Sequence, residues 1–324
     1  MYIFQSGDKE IKMLKYPSLE NHYNITSSRK LMAVLDEEFY ATEKIHGSNM
    51  SIEFTKDSTR YFSRNREVTL NDKALGSYLA TTNNLKYIEN IAKSILEGSV
   101  NLSKKENDIT KVIIFGELYG SGIQNMEYAE NKAGIKQFRV FDVFVFEDNR
   151  AYTLSAEELL HIFGQLTVPF FTEVKPLREW LTTELPEIST LGGPIEGLVY
   201  KPFDGQILAF DNGSVCNYLG VKHKTEQFAE IKSRKKEAPV QTDGEINFKD
   251  NIERYFTMQR LDNLLSKGDI ELSVRNLGTI IPAYLEDVKT DYIKDNPDSY
   301  FNQRILNKAM PSLVVKLVKE KLAQ

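Results

Sequence analysis

The sequence predicts an α+β fold followed by a small all-helical domain, and three observations carry that reading. The runs "KVIIFGELYG" and "FRVFDVFVFE" are rich in β-branched and aromatic residues and read as buried strands. Strand-like and helix-like segments mix without the regular alternation that signals a parallel sheet. Beyond residue 248 the apolar residues recur at helical spacing.

Taken in order, residues 41–54, "ATEKIHGSNMSIEF", end with Met50, Ile52 and Phe54 alternating with Ser51 and Glu53, the period of a half-buried strand. "NDKALGSYLATT" has an Asx-rich start and Ala/Leu spacing, which suggest a short helix or loop. The two buried strands follow. "SAEELLHIFGQL" has Ser155 as a cap, two early acids and 3.6-type spacing, so it reads as a helix. "EAPVQTDGEINF", residues 237–248, is polar, contains Pro239 and Gly244, and reads as a linker between a domain of 1–236 and a helical domain of 249–324. Helical stripes run through "NIERYFTMQRLDNLLSKG", which Gly268 is expected to close, "LSVRNLGTIIPAYLEDVKTDYI" and "NQRILNKAMPSLVVKLVKEKLAQ".

A chain of 324 residues exceeds what one core usually fills, in keeping with one large and one small domain. No apolar run is long enough to span a bilayer and the first residues lack the layout of a signal peptide, so a cytoplasmic setting is expected. Cys216 is the single cysteine, which excludes an internal disulfide and a cysteine-based zinc site; a buried or inert thiol is expected. The net charge of −5 argues against non-specific coating of nucleic acid. Residues 221–237, "VKHKTEQFAEIKSRKKE", are locally basic and read equally as a phosphate-following strip or a solvated face.

Several familiar sites are absent from the sequence: a P-loop, a dinucleotide-binding glycine motif and a Gly-x-Ser-x-Gly elbow. Lys-x-x-Gly occurs twice, at Lys44 and Lys73, and only Lys44 leads into a strand that would hold it rigidly. Glu117 follows "VIIFG", Asp142 interrupts "FRVFDVFVF", and Glu196 opens a run that reaches Lys201. Lys222 and Lys224 flank His223 and share one face if the segment is a strand. A charge on a core strand is costly unless it is paired or faces a wet cleft. Singly, each of these residues reads as a structural ion pair; together with Lys44 they suggest one cleft lined by lysines and acids.

Such a cleft suits nucleotidyl transfer. Lysine, with a reference pKa near ~10.4, attacks phosphorus only when partly neutral, and neighbouring cations and desolvation favour that form. Glu43 would face away from Lys44 along the strand and be free for another task. A Mg²⁺ ion would neutralise the phosphates, bound largely through water and one or two acids.

The ordered motifs "EKIHGSN", "FGELYGSGIQ", "FRVFDVFV", "EGLVYKP" and "VKHK" resemble those of covalent lysine-adenylate ligases, and more narrowly the bacteriophage-type RNA ligase 2 family. "YPSLENHYN", residues 16–24, also resembles the start of those enzymes. The resemblance implies an ATP-grasp-like nucleotidyltransferase domain of antiparallel sheets with flanking helices, an ATP substrate, and Mg²⁺ or Mn²⁺. It implies that Lys44 forms the lysine-AMP adduct, that Glu43 helps read adenine, and that Ile45 lines the nucleotide site. His46 would assist adenylation, Asn49 would receive the RNA end, and Arg64 would contact nucleotide or nick. Glu117 would bond the ribose, Phe141 would stack on adenine and Asp142 would support the site. Glu196 would organise the metal, Val199 would pack on the base, and Lys222 and Lys224 would bind phosphate, with Gln124 and Lys201 in supporting places.

Around the arginine this chain carries Ser63, Arg64, Asn65 and Arg66 where relatives often have Lys-Arg-Thr-Gly, so Arg64 and Arg66 both stay open. The implied activity is ATP-dependent joining of RNA 3′-hydroxyl and 5′-phosphate ends at nicks in duplex RNA, by a monomer. The rivals are a DNA ligase, a capping guanylyltransferase or a non-catalytic RNA-binding relative. His22, His161 and Trp180 read as structural, since the sequence offers them no partner.

Overall fold

The computed structural model describes residues 13–24, 29–71, 76, 84–228, 244–267, 270–297, 299 and 301–324. Lys73, Gly268, residues 1–12 and the stretch 229–243, on which parts of the sequence reading fall, lie outside them. Two compact units divide the chain, Met1–Thr225 and Glu226–Gln324.

The first unit is α+β. Its strands are β1 (Glu20–Asn21), β2 (Glu38–Glu43), β3 (Ser48–Thr55), β4 (Thr59–Ser63), β5 (Glu67–Val68), β6 (Ile109–Gly120) and β7 (Lys136–Glu147). They continue with β8 (Ala151–Thr153), β9 (Phe170–Pro176), β10 (Gly197–Pro202), β11 (Ile207–Leu208), β12 (Phe210–Asp211), β13 (Ser214–Val215) and β14 (Val221–Lys224). A seven-stranded sheet has the order β11-β8-β7-β6-β3-β4-β5, a five-stranded sheet the order β1-β14-β10-β2-β9, and β12 and β13 form a hairpin. Between these strands the pairing is antiparallel except for β1, which lies parallel to β14.

Alternation works as expected on one face of the large sheet. Met50, Ile52 and Phe54 join Val112, Ile114, Val143 and Val145 in a core covered by two helices, α2 (Leu85–Leu96) and α4 (Ala156–Phe163). Between them in chain order lies the short α3 (Ala129–Ala133), after α1 (Arg29–Met32). Helix α4 starts as predicted, with Ser155 and Glu158 closing a capping box. Strand β3 departs from the half-buried reading: Ser51 and Glu53 are also buried, and Arg60 and Lys111 reach the Glu53 carboxylate from neighbouring strands. Trp180 ends the helix α5 (Leu177–Trp180) and donates from Nε1 to Phe39 O at 2.8 Å.

One irregularity matters for the site. Val140 pairs with Gly116 and Asp142 with Phe115, so Phe141 is the extra residue of a β-bulge. Phe138 and Val140 point into the core before it, Val143 and Val145 after it. The phase slips by one residue there, and Phe141 and Asp142 both leave that core. Gly116 lies beside the slip, where an added Cβ would overlap the Phe138 ring and Arg139 O.

The second unit is helical: α6 (Gly244–Glu253), α7 (Met258–Leu265), α8 (Leu277–Asp295), α9 (Gln303–Ala309) and α10 (Pro311–Leu322). Its core includes Phe248, Ile252, Tyr284, Val288, Val314 and Val318. Helix α6 begins inside the stretch read as a linker, and Phe248, 2% exposed, is the apolar anchor that draws it into the core. Arg260 is buried, bound by Asp291 at 2.9 Å and by Asp287. Cys216 is exposed rather than buried, its Sγ lying 3.3 Å from Ala209 O. Among the described residues no helix is long and apolar enough to cross a membrane.

Candidate active site

The strand order β14-β10-β2 brings three strand ends together at one end of the smaller sheet. Glu196 immediately precedes β10, Lys44 follows β2, and Lys224 ends β14 opposite Gly197. Lys44 donates its backbone N–H to Gly197 O at 2.9 Å, which fixes the first residue of the turn to β10. Gly197 itself has φ +150°, and a Cβ there would overlap His223 O, so only glycine lets β14 approach so closely.

Lys44 Nζ lies 2.8 Å and Lys224 Nζ 3.1 Å from Glu196 Oε1. His46 Nδ1 is 3.3 Å from Oε2, which is buried and has no well-aligned hydrogen bond. Burial acts to raise the carboxyl of Glu196, but the ammonium groups of Lys44 and Lys224, with His46, more than offset it and hold the group well below the usual carboxylate range. Lys44 keeps 24% of its side chain exposed, against 1% for Glu196. The pair therefore joins an anchored anion to an amine open to a ligand.

Gly47 explains the motif spacing. A Cβ on it would overlap Leu118 O of β6, so the glycine lets the turn lie directly against that strand. Its N–H then reaches the carboxylate of Glu117. Glu117 stands opposite Asn49, which places both at the cleft. Burial pushes Glu117 up to about 8; Lys44 opposes this, Glu196 adds to it, and Arg64 opposes it. Arg64 thus acts on Glu117, whereas Arg66 Nη1 contacts Glu67 O at 3.4 Å.

On the smaller sheet Val199 pairs with Thr42 and Lys222, so these three share the face that also carries Lys224 and Lys201. Lys201, buried, contacts Asp142 Oδ2 at 3.5 Å and donates to Phe141 O. Asp142 also accepts from Tyr16 at 2.9 Å and Tyr218 at 2.5 Å. Burial lowers the ammonium of Lys201, and Asp142 works against that shift. Phe141 packs edge-on to Tyr16 at 4.9 Å and borders the cluster of Ile45, Tyr119 and Tyr128. Tyr128 accepts the His46 N–H at 3.0 Å.

Two expected residues stand apart. Glu43 faces away from Lys44, as strand alternation requires, but its buried carboxylate is taken by Ser189 and by Thr190, whose N and Oγ1 donate at 3.1 and 2.8 Å. Its side chain holds the 189–191 loop. Gln124 sits in the loop after β6, where no hydrogen bond or ion pair joins its side chain to the Lys44 cluster, and its Nε2 is buried without a partner. Sequence reasoning also missed the links of the "YPSLENHYN" segment: Tyr16 to Asp142, β1 to β14, and His22 stacked on His223. The motif itself was the available signal.

A family model described as RNA ligase matches residues 37–216, and one described as T4 RNA ligase 2 C-terminal matches residues 240–323. Similar solved structures include Naegleria gruberi RNA ligase as a lysine-to-alanine mutant with ATP and Mn, 19% identical with a TM-score of 0.48 over 66% of this chain and 57% of that one. A lysine-to-methionine mutant of the same ligase, with AMP and Mn, is 17% identical with a TM-score of 0.47 over the same shares. The chain thus spans 57% of the length of these ligases. With the first model covering more than half of the chain and the second most of the remainder, the chain belongs to the RNA ligase family, of the type that carries the T4 RNA ligase 2 C-terminal domain.

Proposed function

We propose that this chain is an ATP-dependent RNA ligase that joins RNA 3′-hydroxyl and 5′-phosphate ends, at nicks in duplex RNA, as a monomer in a reducing cytoplasm. The single observation that carries the reading is the partly exposed Lys44 held 2.8 Å from buried Glu196, with Lys224 on the same oxygen. In the first step Lys44 Nζ, having lost its proton to the open cleft, attacks the α-phosphorus of ATP. The bond to the β-phosphate breaks, pyrophosphate leaves, and a lysine-AMP bond forms. In the second, the RNA 5′-phosphate attacks that phosphorus and releases Lys44. In the third, an RNA 3′-hydroxyl attacks the 5′-phosphate, loses its proton and expels AMP.

The chain's own residues supply position and charge. Lys222 and Lys224 present ammonium groups to the phosphates, Val199 and the ring of Phe141 offer apolar surface for the base, and His46 and Asn49 flank the nucleophile. Among the described residues no group of three or more His, Cys, Asp or Glu is placed to hold a metal. A single buried carboxylate with one oxygen lacking a well-aligned partner fits an ion that keeps most of its water, so Glu196 is the residue that would hold Mg²⁺ or Mn²⁺. Such an ion would supply charge neutralisation at the phosphates. The helical unit would grip phosphates across an A-form duplex, which is recognition by shape.

The test is incubation with Mg²⁺ and ATP labelled at the α-phosphate, followed by a denaturing gel. Label is expected on wild type and Lys73→Ala and absent from Lys44→Ala; nicked duplex RNA should then be sealed. Folded wild type, freed of bound AMP, that takes no label would overturn the reading.

A further inference from the structure

Strand β14 carries Lys222 and Lys224 on the cleft face and turns His223 to the opposite face, where Tyr200 OH meets its Nδ1 at 3.0 Å. On one side β14 is held firmly, since β10 pairs with it at four positions from Gly197–Lys224 to Tyr200–Val221. On the other side the hold is short. Among the described residues the strand register pairs Glu20 with Val221 and Asn21 with Lys222, anchored by Glu20 N donating to Gly220 O at 2.8 Å.

Strand pairing on that side ends at Lys222, just before the residues that carry Lys224 to Glu196. There the His22 ring takes over. It stacks on His223 with centroids 3.8 Å apart and planes 27° apart, extending the contact by one residue. His223 stands between the two lysines in the chain, so any shift of its backbone moves both.

We infer that His22 is a positioning residue for nucleotide binding: stacked on His223 behind β14, its ring holds Lys222 and Lys224 at the cleft for the phosphates of ATP. The inference rests on the ligase reading above. It also gives the end of the "YPSLENHYN" motif a mechanical role. Burial lowers both imidazoles, His223 to about 4, so the stack is a contact between neutral rings at ordinary pH.

The experiment measures the rate of self-adenylation by wild type, His22→Ala and His22→Phe across ATP concentrations at pH 7.5, with KM the ATP concentration at half the limiting rate and kcat the limiting rate constant of that single-turnover step. An aromatic contact of this kind predicts a rise of about three- to tenfold in the KM for ATP of His22→Ala, with kcat within about twofold. His22→Phe, which keeps a ring to stack, should return KM to near the wild-type value. If His22→Ala does not fold, His22→Gln keeps polar bulk without a ring and takes its place. An unchanged KM in the ringless variant, or a raised KM in His22→Phe equal to it, overturns the inference and leaves the ligase reading intact. Wild type that takes no label overturns both.

Discussion

Lys44 and Lys224 share one oxygen of Glu196, at 2.8 and 3.1 Å, although Lys44 follows β2 and Lys224 ends β14, and β10, which Glu196 immediately precedes, runs between those two strands. Glu196→Gln leaves two ammonium groups without their anion in a site that is mostly closed. Loss of one partner from a fully buried pair costs about 3–5 kcal/mol; with Lys44 partly exposed, roughly 2 kcal/mol is expected in urea unfolding. Adenylation should fall about 100-fold through misplacement of the nucleophile. Since the folded pKa of Glu196 is depressed, its stabilisation is complete above the ordinary value of 4.5 and is lost as pH falls below it. Wild type and variant should therefore converge in stability on acidification, and a difference that stays constant down to the acid transition would contradict this.

Glu117 has the opposite sign. Its folded pKa is raised from 4.5 to about 8, so the folded protein keeps a proton that the unfolded chain releases. That contribution is full below pH 4.5 and is lost as pH rises through about 8. Glu117→Gln should gain stability relative to wild type between pH 5 and pH 9, read as unfolding midpoints across a pH series. Parallel curves would show that Glu117 is ionised throughout.

Gly47→Ala should separate the turn from β6, because the new Cβ overlaps Leu118 O. Overpacking of this kind costs about 1–3 kcal/mol. We expect adenylation to fall further than stability alone explains, since the turn carries Lys44 and His46. An alanine variant with wild-type labelling at saturating ATP would remove the close approach as the reason for the glycine.

Asp142 and Lys201 form a buried pair, so each single replacement should cost more than the pair is worth. Asp142→Asn and Lys201→Met are each expected to destabilise by about 3 kcal/mol, and the double variant by at least ~1 kcal/mol less than their sum. Denaturant unfolding of the four proteins completes the cycle. Simple additivity would place Asp142 with Tyr16 and Tyr218 alone.

Arg260→Leu tests the helical unit, where the guanidinium is 1% exposed and bound by Asp287 and Asp291. Removing it leaves two partly exposed carboxylates close together, and about 1–2 kcal/mol of stability should be lost, more at about 0.01 M than at about 1 M salt, which screens their repulsion. Equal losses at both values would assign the effect to packing.

What this sequence determined by itself is local. Alternation set the core face of β3, the Ser155 box set the start of α4, and period two placed Lys222 and Lys224 on one face. The ordered motifs around Lys44 pointed to the RNA ligase family by resemblance, and the family models match the same chain. The tertiary structure alone decided which of those charges meet. Glu196 reaches Lys44 and Lys224 through strand order, Glu43 is claimed by Ser189 and Thr190, and His22 finds His223 through a parallel pairing. The bulge at Phe141 likewise depends on register against β6, which no pattern within "FRVFDVFVF" encodes. Side-chain period is a property of a few neighbouring residues, whereas register, strand order and burial are set by contacts between segments far apart in the chain, and these carry the site.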